Sequence, residues 1–452
     1  MTNPELLQLL RSEVIPAIGC TEPIAVALCT ARAKELLGAE PDSITVHLSK
    51  NVYKNALAVG IPNTGMTGLP IAIALGATVG RSEYMLEVLR DATPEAVAYA
   101  KAYMLRVPAT IKVDYEAPSL LYIHVEVSKE GQMAQATIMD EHTHFVTSPI
   151  SNSPAANSPQ DVQYPIGGTP SNSPQGLNLR RVYDFAASVD TTELTFLLEG
   201  AEMNTAAAET SFANQYGHGL GRLLRPIPNS AASNSPQDVQ YPIGGTPSAL
   251  SLFGNTLFTK IISYTCGACD ARMSGAMVQV MSNSGSGNQG ISCSIPVYLY
   301  AKENNCTEEQ TLRALALSNL TVIYIKQSLG RLSALCGCVV AATGSAAGIT
   351  YLMGGTYDEI TYAIKNMIAN ISGMICDGAK PGCALKVTSG VATAIFSAYL
   401  AMQHSYADST EGIVEDDIDR TIRNLTRIGH DGMKVTDDLI LDIMTHKQQV
   451  NN

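Results

Sequence analysis

Two cysteines stand seven residues apart in the stretch ICDGAKPGCALK, which runs from Ile375 to Lys386. One aspartate and two lysines lie in the same stretch, separated by glycine and proline. Thiolates in such turns can bind a metal ion or an iron–sulfur cluster, or they can form a redox pair. A plain loop between helices is equally compatible with these residues. The spacing of Cys376 and Cys383 does not rank these interpretations.

Other cysteines also occupy turn-like positions. In GCTEP, Cys20 stands at a helix break between Pro16 and Pro23, just before a new helix. A thiol near a helix N-terminus is expected to be more acidic and a better ligand, although a small residue that fills a turn is the alternative. In LCGC, Cys336 and Cys338 precede a helix of small residues. Scattered thiols in glycine-rich turns favour an iron–sulfur cluster over zinc.

The CGAC motif, with Cys266 and Cys269, is the pattern that most resembles a zinc or redox site. A single CxxC pair without a second pair or partner histidines is weak support for zinc. The eight histidines do not fall at HxxxH or HExxH spacing, although His142, His144 and His218 lie in suggestive surroundings. We therefore predict that CGAC is not a metal site.

A glycine- and serine-rich loop, MSNSGSGNQGI, extends from Met281 to Ile291. Its backbone N–H groups and hydroxyls suit a carboxylate or phosphate, so we assign it to anion or substrate binding. It is not a Walker A motif, because no GK[ST] follows, and no βαβ unit surrounds it as a dinucleotide fingerprint requires. A flexible linker is the alternative, but the apolar sequence on both sides argues against it.

Composition limits the partners and the compartment. The net charge of −12 repels phosphate backbones, so nucleic acid is not expected as a partner. The N-terminus has no basic region before an apolar stretch and does not read as a signal peptide. Together with ten cysteines, this predicts a reducing compartment, the cytoplasm. Two uncharged stretches, 55–80 and 332–357, lack aromatic belts and basic flanks, and they are predicted to be buried rather than to span a membrane.

Hydrophobic periodicity predicts an α+β fold with an α+β unit over residues 1–146. From 177 to 452 the chain is predicted to be a mostly helical domain, in which Gly344 and Gly348 form a face for close helix contact. In the first unit, helices are predicted at 4–37 with a break near Pro16, and at 69–75, 82–89 and 94–104. Strands are predicted there at 44–48, 110–115, 120–127 and 134–139.

Two segments rich in proline, serine and asparagine interrupt this pattern, a linker or insertion at 147–176 and a second insertion at 226–248. The segment NSPQDVQYPIGGTPS occurs identically at 157–171 and 234–248. A single exact recurrence is not a repeat array, and recent duplication, an engineered insertion or a sequence error explains it more simply. A paired binding motif is the functional alternative.

Several motifs, in this order, resemble those of the L-cysteine desulfidase family, which is related to the α part of iron–sulfur L-serine dehydratases. They are GCTEPIAVAL, KNVYKNALAVGIPNTGMTGLPIA, DARMSGA, MSNSGSGNQGI, RLSALCGC and SGMICDGAKPGCALKV. The resemblance covers about residues 12–145 and 177–445 and omits the proline-rich segments. It implies an N-terminal α+β unit followed by a mostly helical domain like the α chain of serine dehydratase.

The resemblance also implies an oxygen-sensitive [4Fe–4S] cluster held by three cysteines, with one iron open to substrate. Matched motif by motif, the ligands are Cys20, Cys336 and Cys376, and Cys383 is either a supporting thiol or a ligand in a differently assembled cluster. The implied reaction is PLP-independent β-elimination of L-cysteine to hydrogen sulfide, pyruvate and ammonia. L-Serine dehydration on the same scaffold is one alternative. A non-catalytic iron–sulfur sensor is another, which the acidic charge disfavours.

A small amino-acid substrate needs fixed partners for its carboxylate and ammonium groups. Lys54 and Arg272 are assigned to catalysis, Lys54 as a base with a lowered pKa and Arg272 as a bidentate clamp on the carboxylate. A solvated lysine at a strand edge is the alternative for Lys54. The residues assigned to substrate binding are Asn51, Asn55, Ser284, Ser286 and Asn288. A homodimer is an open option for assembly.

Overall fold

The structure is a computed structural model that describes residues 1–146, 177–225 and 253–447. The predicted insertions at 147–176 and 226–248, with the exact repeat that they contain, lie outside these ranges. The described residues confirm an α+β fold, with a small N-terminal sheet followed by a mostly helical part.

The described strands, in chain order, are β1 (Pro16–Ile18), β2 (Ser43–Ser49), β3 (Thr110–Asp114), β4 (Tyr122–Lys129), β5 (Gln132–Met139), β6 (Phe145–Val146) and β7 (Gln279–Met281). The described α-helices of the first part are α1 (Asn3–Glu13), α2 (Thr21–Leu37), α3 (Lys50–Ala56), α4 (Leu69–Thr78) and α5 (Pro94–Arg106). Those of the second part are α6 (Leu179–Ser188), α7 (Thr195–Ala213), α8 (Leu220–Leu223), α9 (Leu257–Met273), α10 (Gly287–Glu303), α11 (Glu308–Leu329), α12 (Gly337–Leu352), α13 (Tyr357–Ile371), α14 (Cys383–Met402), α15 (Ile418–Arg427) and α16 (Lys434–Thr445).

The N-terminal sheet has the strand order β3-β2-β4-β5-β6. Strand β2 pairs in parallel with β3 and antiparallel with β4. Ile123, Val125 and Val127 of β4 are buried, and the residues between them are half-buried, which is the period-2 pattern of a strand with one face on the core. Helix α2 packs on this sheet, and α4 packs on α2.

The predicted helix at 82–89 is a 3₁₀ helix, Ser82–Glu87, rather than an α-helix. Met85 has a positive φ of 49°, which no regular helix of L-residues contains. The helix therefore breaks inside this segment, a local backbone choice that apolar periodicity does not reveal.

Helix α12 lies at the centre of the second part and is buried on every side. Helices α10, α11, α13 and α14 pack around it. The predicted glycine face is confirmed, because a Cβ added at Gly344 would lie 2.5 Å from the carbonyl oxygen of Ser318. A side chain at this position would push α11 away, so the small residues permit the close contact.

Each of the two hydrophobic cores contains residues from both parts of the chain. The core around the sheet includes Leu332 from the helical part. The helical core in turn includes Leu6, Leu10 and Cys20 from the N-terminal part. Strand β1 also pairs antiparallel with β7, with Pro16 opposite Met281. The two parts are thus interlocked around Cys20.

One described helix, α14, is long and apolar enough to cross a membrane by its length and composition. Core helices satisfy the same criteria. Its residues Val387, Val391 and Ala394 are buried, and the helix packs on α9, α12 and α13. Helices α4 and α12, which lie in the uncharged stretches predicted to be buried, are indeed mostly buried.

Candidate functional site

Cys336 and Cys376 are adjacent in space because the segments that carry them form a short bridge. Leu335 pairs antiparallel with Ile375, and the Cys376 N–H donates to the carbonyl oxygen of Ala334 at 2.7 Å. The two thiols interact directly, and this contact together with burial raises the pKa of Cys376 well above its usual value. The structure therefore brings together two of the three cysteines that the family motifs selected.

Cys20 is the N-cap residue of α2 and is buried. Its Sγ lies 3.3 Å from a carboxylate oxygen of Glu22. Cys383 interacts electrostatically with both Cys20 and Cys376. We refer to Cys20, Cys336, Cys376 and Cys383 as the group of thiols. The prediction of an acidic thiol is wrong, because burial and then Glu22 raise the pKa of Cys20 well above its usual value.

Three thiols of this group stand at helix starts. Cys20 and Cys336 are the N-cap residues of α2 and α12, and Cys383 is the first residue of α14. The N-terminal end of a helix carries partial positive charge, which stabilises anions such as thiolates. Cys376 lies on the loop before α14, where Gly378 adopts a φ of 86° that requires glycine. These positions suit ligands of an anionic cluster.

The described residues contain no group of three His, Cys, Asp or Glu side chains arranged to hold a single metal ion. Cys266 and Cys269 of CGAC lie buried on α9, and Cys266 contacts the carbonyl oxygen of Ala384. An iron–sulfur cubane differs from a single ion, because each thiolate binds a different iron and the ligands need not meet at one point.

Lys54 lies on α3 with 2% of its surface exposed, so the alternative of a solvated strand-edge lysine is wrong. Its Nζ forms an ion pair with Asp437 of α16 and donates to the carbonyl oxygen of Cys376 at 3.4 Å. Asn51 also donates to Asp437. Helix α16 therefore anchors α3 against the loop that carries Cys376.

Replacing Lys54 with methionine should lower the free energy of unfolding by about 3–5 kcal/mol, because Asp437 would remain buried without its cation. The matched control is Lys50→Met on the same helix, which removes a partly exposed ion pair with Asp438 and should cost less than about 1 kcal/mol. Urea denaturation of both variants measures the difference. Equal losses in the two variants would contradict a structural role for the buried pair.

Arg272 is the largest fully buried side chain among the described residues and is 1% exposed. Its Nη1 donates to Asn288 Oδ1 at 2.9 Å, but its Nε and Nη2 have no hydrogen-bond partner within the protein. Arg272 also acts electrostatically on Cys20. Buried donors rarely remain unpaired, so two open donors beside the thiols indicate a place for a bound anion.

The glycine- and serine-rich loop forms less of an amide cradle than predicted. The N–H groups of Ser282, Ser284 and Ser286 already donate to carbonyl oxygens within the protein, and the Ser284 hydroxyl donates to Asn283. The part of this loop that is still open to an anion is its end at the first turn of α10, next to Arg272. A Cβ at Gly287 would lie 2.3 Å from Arg272 Nε, so this glycine permits the arginine to approach the helix start.

Three further side-chain oxygens near the thiols are buried and unpaired, those of Asn51, Asn55 and Gln289. Asn55 Nδ2 donates to Glu22 at 3.1 Å, which leaves its Oδ1 free. Gln289 packs against Gly337, the residue after Cys336. The site therefore combines open acceptors with the open donors of Arg272.

Four residues of this site were not anticipated from the sequence. Glu22 and Gln289 lie inside motifs that were singled out, so closer attention to their polar side chains would have found them. Lys326 interacts electrostatically with Cys376 and Glu22. It is the first charged residue after twelve uncharged ones that follow Arg313, which is a weak signal of a buried lysine. Asp437 lies in a polar C-terminal helix and has no distinguishing signal in the sequence.

Comparison with known proteins places the chain in a family. Residues 83–442 match the family described as "Serine dehydratase alpha chain". A "UPF0597 protein" of Phocaeicola vulgatus is 54% identical over 98% of both chains, and one of Bacteroides thetaiotaomicron is 53% identical over 98% of both. A more distant relative of the same description, from Aeromonas hydrophila, is 40% identical over 98% of this chain and 97% of its own. The chain belongs to the serine dehydratase alpha chain family.

Proposed function

We propose that the chain is a PLP-independent lyase that eliminates hydrogen sulfide from L-cysteine and uses a [4Fe–4S] cluster held by Cys20, Cys336 and Cys376. The observation that carries the proposal is the buried guanidinium of Arg272, with two unpaired nitrogen atoms beside the group of thiols. A cation with open donors suits the carboxylate of an amino acid, and thiols suit a soft metal. Membership of a serine dehydratase family supports a lyase-type reaction.

The residues at the proposed metal site fit an iron–sulfur cluster. Thiolates are the usual ligands of such clusters, and the three proposed ligands are buried or nearly so. Two of them stand at helix N-termini and Lys54 lies beside the third, so positive or partial positive charge lies near each sulfur atom, although the Glu22 carboxylate also lies near Cys20. When bound, the cluster would supply an open, Lewis-acidic iron that accepts the sulfur of the leaving group.

The open polar atoms fit the two ends of an amino acid. We assign the carboxylate to Nε and Nη2 of Arg272, together with the first-turn amides of α10. Asn288 orients Arg272 through its hydrogen bond. We assign the ammonium group to the unpaired oxygens of Asn51, Asn55 and Gln289, which accept hydrogen bonds. We also assign Ser284 and Ser286, which stand in the loop directly before α10, as further partners of the carboxylate.

L-Serine is the second candidate substrate, and the serine dehydratase description of the family supports it. The carboxylate and ammonium partners would be the same for both amino acids. The difference is the leaving group, because hydroxide leaves less readily than sulfide and depends more on activation. The two substrates can therefore be separated by direct assay.

The test is to reconstitute the full chain with iron and sulfide without oxygen and to assay L-cysteine and L-serine in parallel. We expect sulfide and pyruvate in equal amounts from L-cysteine without added PLP. Pyruvate from L-serine with no sulfide from L-cysteine would overturn the desulfidase assignment in favour of the dehydratase. A loaded cluster with no turnover of either amino acid would favour the sensor, and stoichiometric zinc without iron would refute the cluster.

A further inference from the structure

Lys326 is a buried lysine in the last turn of α11, with 7% of its surface exposed. Its Nζ donates to the carbonyl oxygen of Arg331 at 2.9 Å. No second acceptor for its remaining N–H groups exists among the described residues, and no carboxylate forms an ion pair with it there. Burial, and then Arg331, lower the pKa of Lys326 to about 8, so its neutral form is accessible near physiological pH.

Lys326 lies close to the glycine- and serine-rich loop. A Cβ added at Gly285 of that loop would lie 2.6 Å from His142 Nδ1 and 3.7 Å from Nη1 of Arg331, the residue whose carbonyl oxygen Lys326 contacts. It interacts electrostatically with Cys376 and with Glu22, the carboxylate that contacts Cys20. His142 also interacts with Lys326 and Glu22, and its buried Nε2 has no partner. The unpaired imidazole nitrogen of His142 and the amine of Lys326, which has open hydrogen-bonding positions, therefore both have Glu22 as a neighbour.

The other lysines near the cysteines form ion pairs with carboxylates. Lys54 is paired with Asp437, and both Lys380 and Lys386 are paired with Asp377. An ammonium group that is paired with a carboxylate stays protonated, so it does not accept a proton from a substrate. Lys326 differs, since its acceptor is a neutral backbone carbonyl.

We propose that Lys326 is the base that removes the Cα proton of the substrate, an inference that rests on the β-elimination proposed above. The neutral amine of Lys326 takes the Cα proton and becomes an ammonium group. The electron pair of the broken Cα–H bond forms the Cα=Cβ double bond, and the Cβ–S bond breaks, with its electrons leaving on hydrosulfide. The product 2-aminoacrylate then reacts with water to give pyruvate and ammonia.

The first test compares Lys326→Gln with the parent enzyme, both reconstituted without oxygen. We expect kcat for L-cysteine to fall by about 10²–10⁴-fold, the usual contribution of a general base, while iron and acid-labile sulfide contents stay at parent levels. NMR in deuterium oxide follows the exchange of the Cα hydrogen of L-cysteine for deuterium. This exchange should be lost together with the loss of kcat. Lys326→Arg should lose exchange as well, because its guanidinium stays charged.

The matched control is Lys365→Gln. Lys365 is also buried and donates to a backbone carbonyl, that of Asp416 at 2.9 Å, but it packs on Tyr406 rather than near the cysteines. The Lys365→Gln control should exchange the Cα hydrogen of L-cysteine and convert this substrate at the rates of the parent enzyme. If Lys326→Gln keeps parent exchange with a full cluster, the base assignment is wrong while the proposed function stands. If the parent itself converts neither amino acid, both fail together.

A second test needs no activity. Between pH 8 and the usual lysine value, the unfolded chain binds a proton that the folded chain lacks, so the parent gains stability as pH rises through this range. Lys326→Met should melt at a higher temperature than the parent below pH 8, and the gap should close as pH approaches 10.5. The groups that face Lys326 are Arg331, Glu13, Glu22, Cys376 and His142. A gap that is constant with pH would show that the lysine stays charged and would overturn the proposal.

Discussion

Replacing Cys336 with alanine should give a colourless protein that contains no cluster iron and releases no sulfide or pyruvate. The same result is expected for Cys20→Ala and Cys376→Ala, because a cubane held by three protein thiolates is not retained by two. The direct contact between Cys336 and Cys376 means that removing either takes a sulfur neighbour from the other, although Cys336 keeps its contact with Cys338 Sγ at 3.2 Å. Visible absorbance, iron content and sulfide release after anaerobic reconstitution measure the effect.

Cys29→Ala is the matched control for these variants. Cys29 is as buried as the proposed ligands, but its thiol faces carbonyl oxygens of β4 and β5 in the sheet core. It should keep both cluster and activity, and so should Cys266→Ala and Cys269→Ala. The ligand assignment is wrong if Cys266→Ala loses the cluster while Cys376→Ala keeps it.

Replacing Arg272 with methionine should lower kcat/KM for L-cysteine by about 30- to 4,000-fold. This range corresponds to the 2–5 kcal/mol usually lost when one partner of a buried, charged hydrogen-bonded pair is removed. Cluster content should not change, since Arg272 is not a ligand. Arg272→Lys should recover only part of the loss, because lysine keeps the charge but not the planar fork of donors.

The sharpest readout for Arg272 uses a substrate without a carboxylate. Cysteamine, which lacks this group, should inhibit or bind the parent and the Arg272→Met variant equally well, whereas L-cysteine should distinguish them. The control is Arg313→Met, which removes a partly buried arginine that donates to the carbonyl oxygens of Ala186 and Val189. A uniform loss for both ligands in Arg272→Met would contradict a carboxylate clamp.

Local sequence patterns predicted the elements that carry the thiols but not their electrostatics. Alternating residues in β4 and the small-residue face of α12 both appear in the structure as predicted. The predicted acidity of Cys20 fails, because complete burial and the nearby Glu22 outweigh the favourable field of a helix start. Burial depends on tertiary packing, which a motif of five residues does not contain.

The other features that the sequence did not reveal depend on contacts between residues far apart in the chain. Lys54 contacts the carbonyl oxygen of Cys376, but its ion-pair partner Asp437 lies near the other end of the chain, so the sequence does not reveal the pair. Arg272 was proposed for its chemistry alone. Its two unpaired nitrogen atoms become visible only when the packing of α9 against α10 is known.

The interlocking of the two cores around Cys20 also sets the order of events during biosynthesis. Cys20 leaves the ribosome early, but Cys336 and Cys376 are added only after about three quarters of the chain has been made. Asp437, which holds Lys54 against the loop of Cys376, emerges later still. If the proposed cluster binds, its ligand set is complete only late in synthesis, and until then the early thiol needs a reducing environment to remain intact.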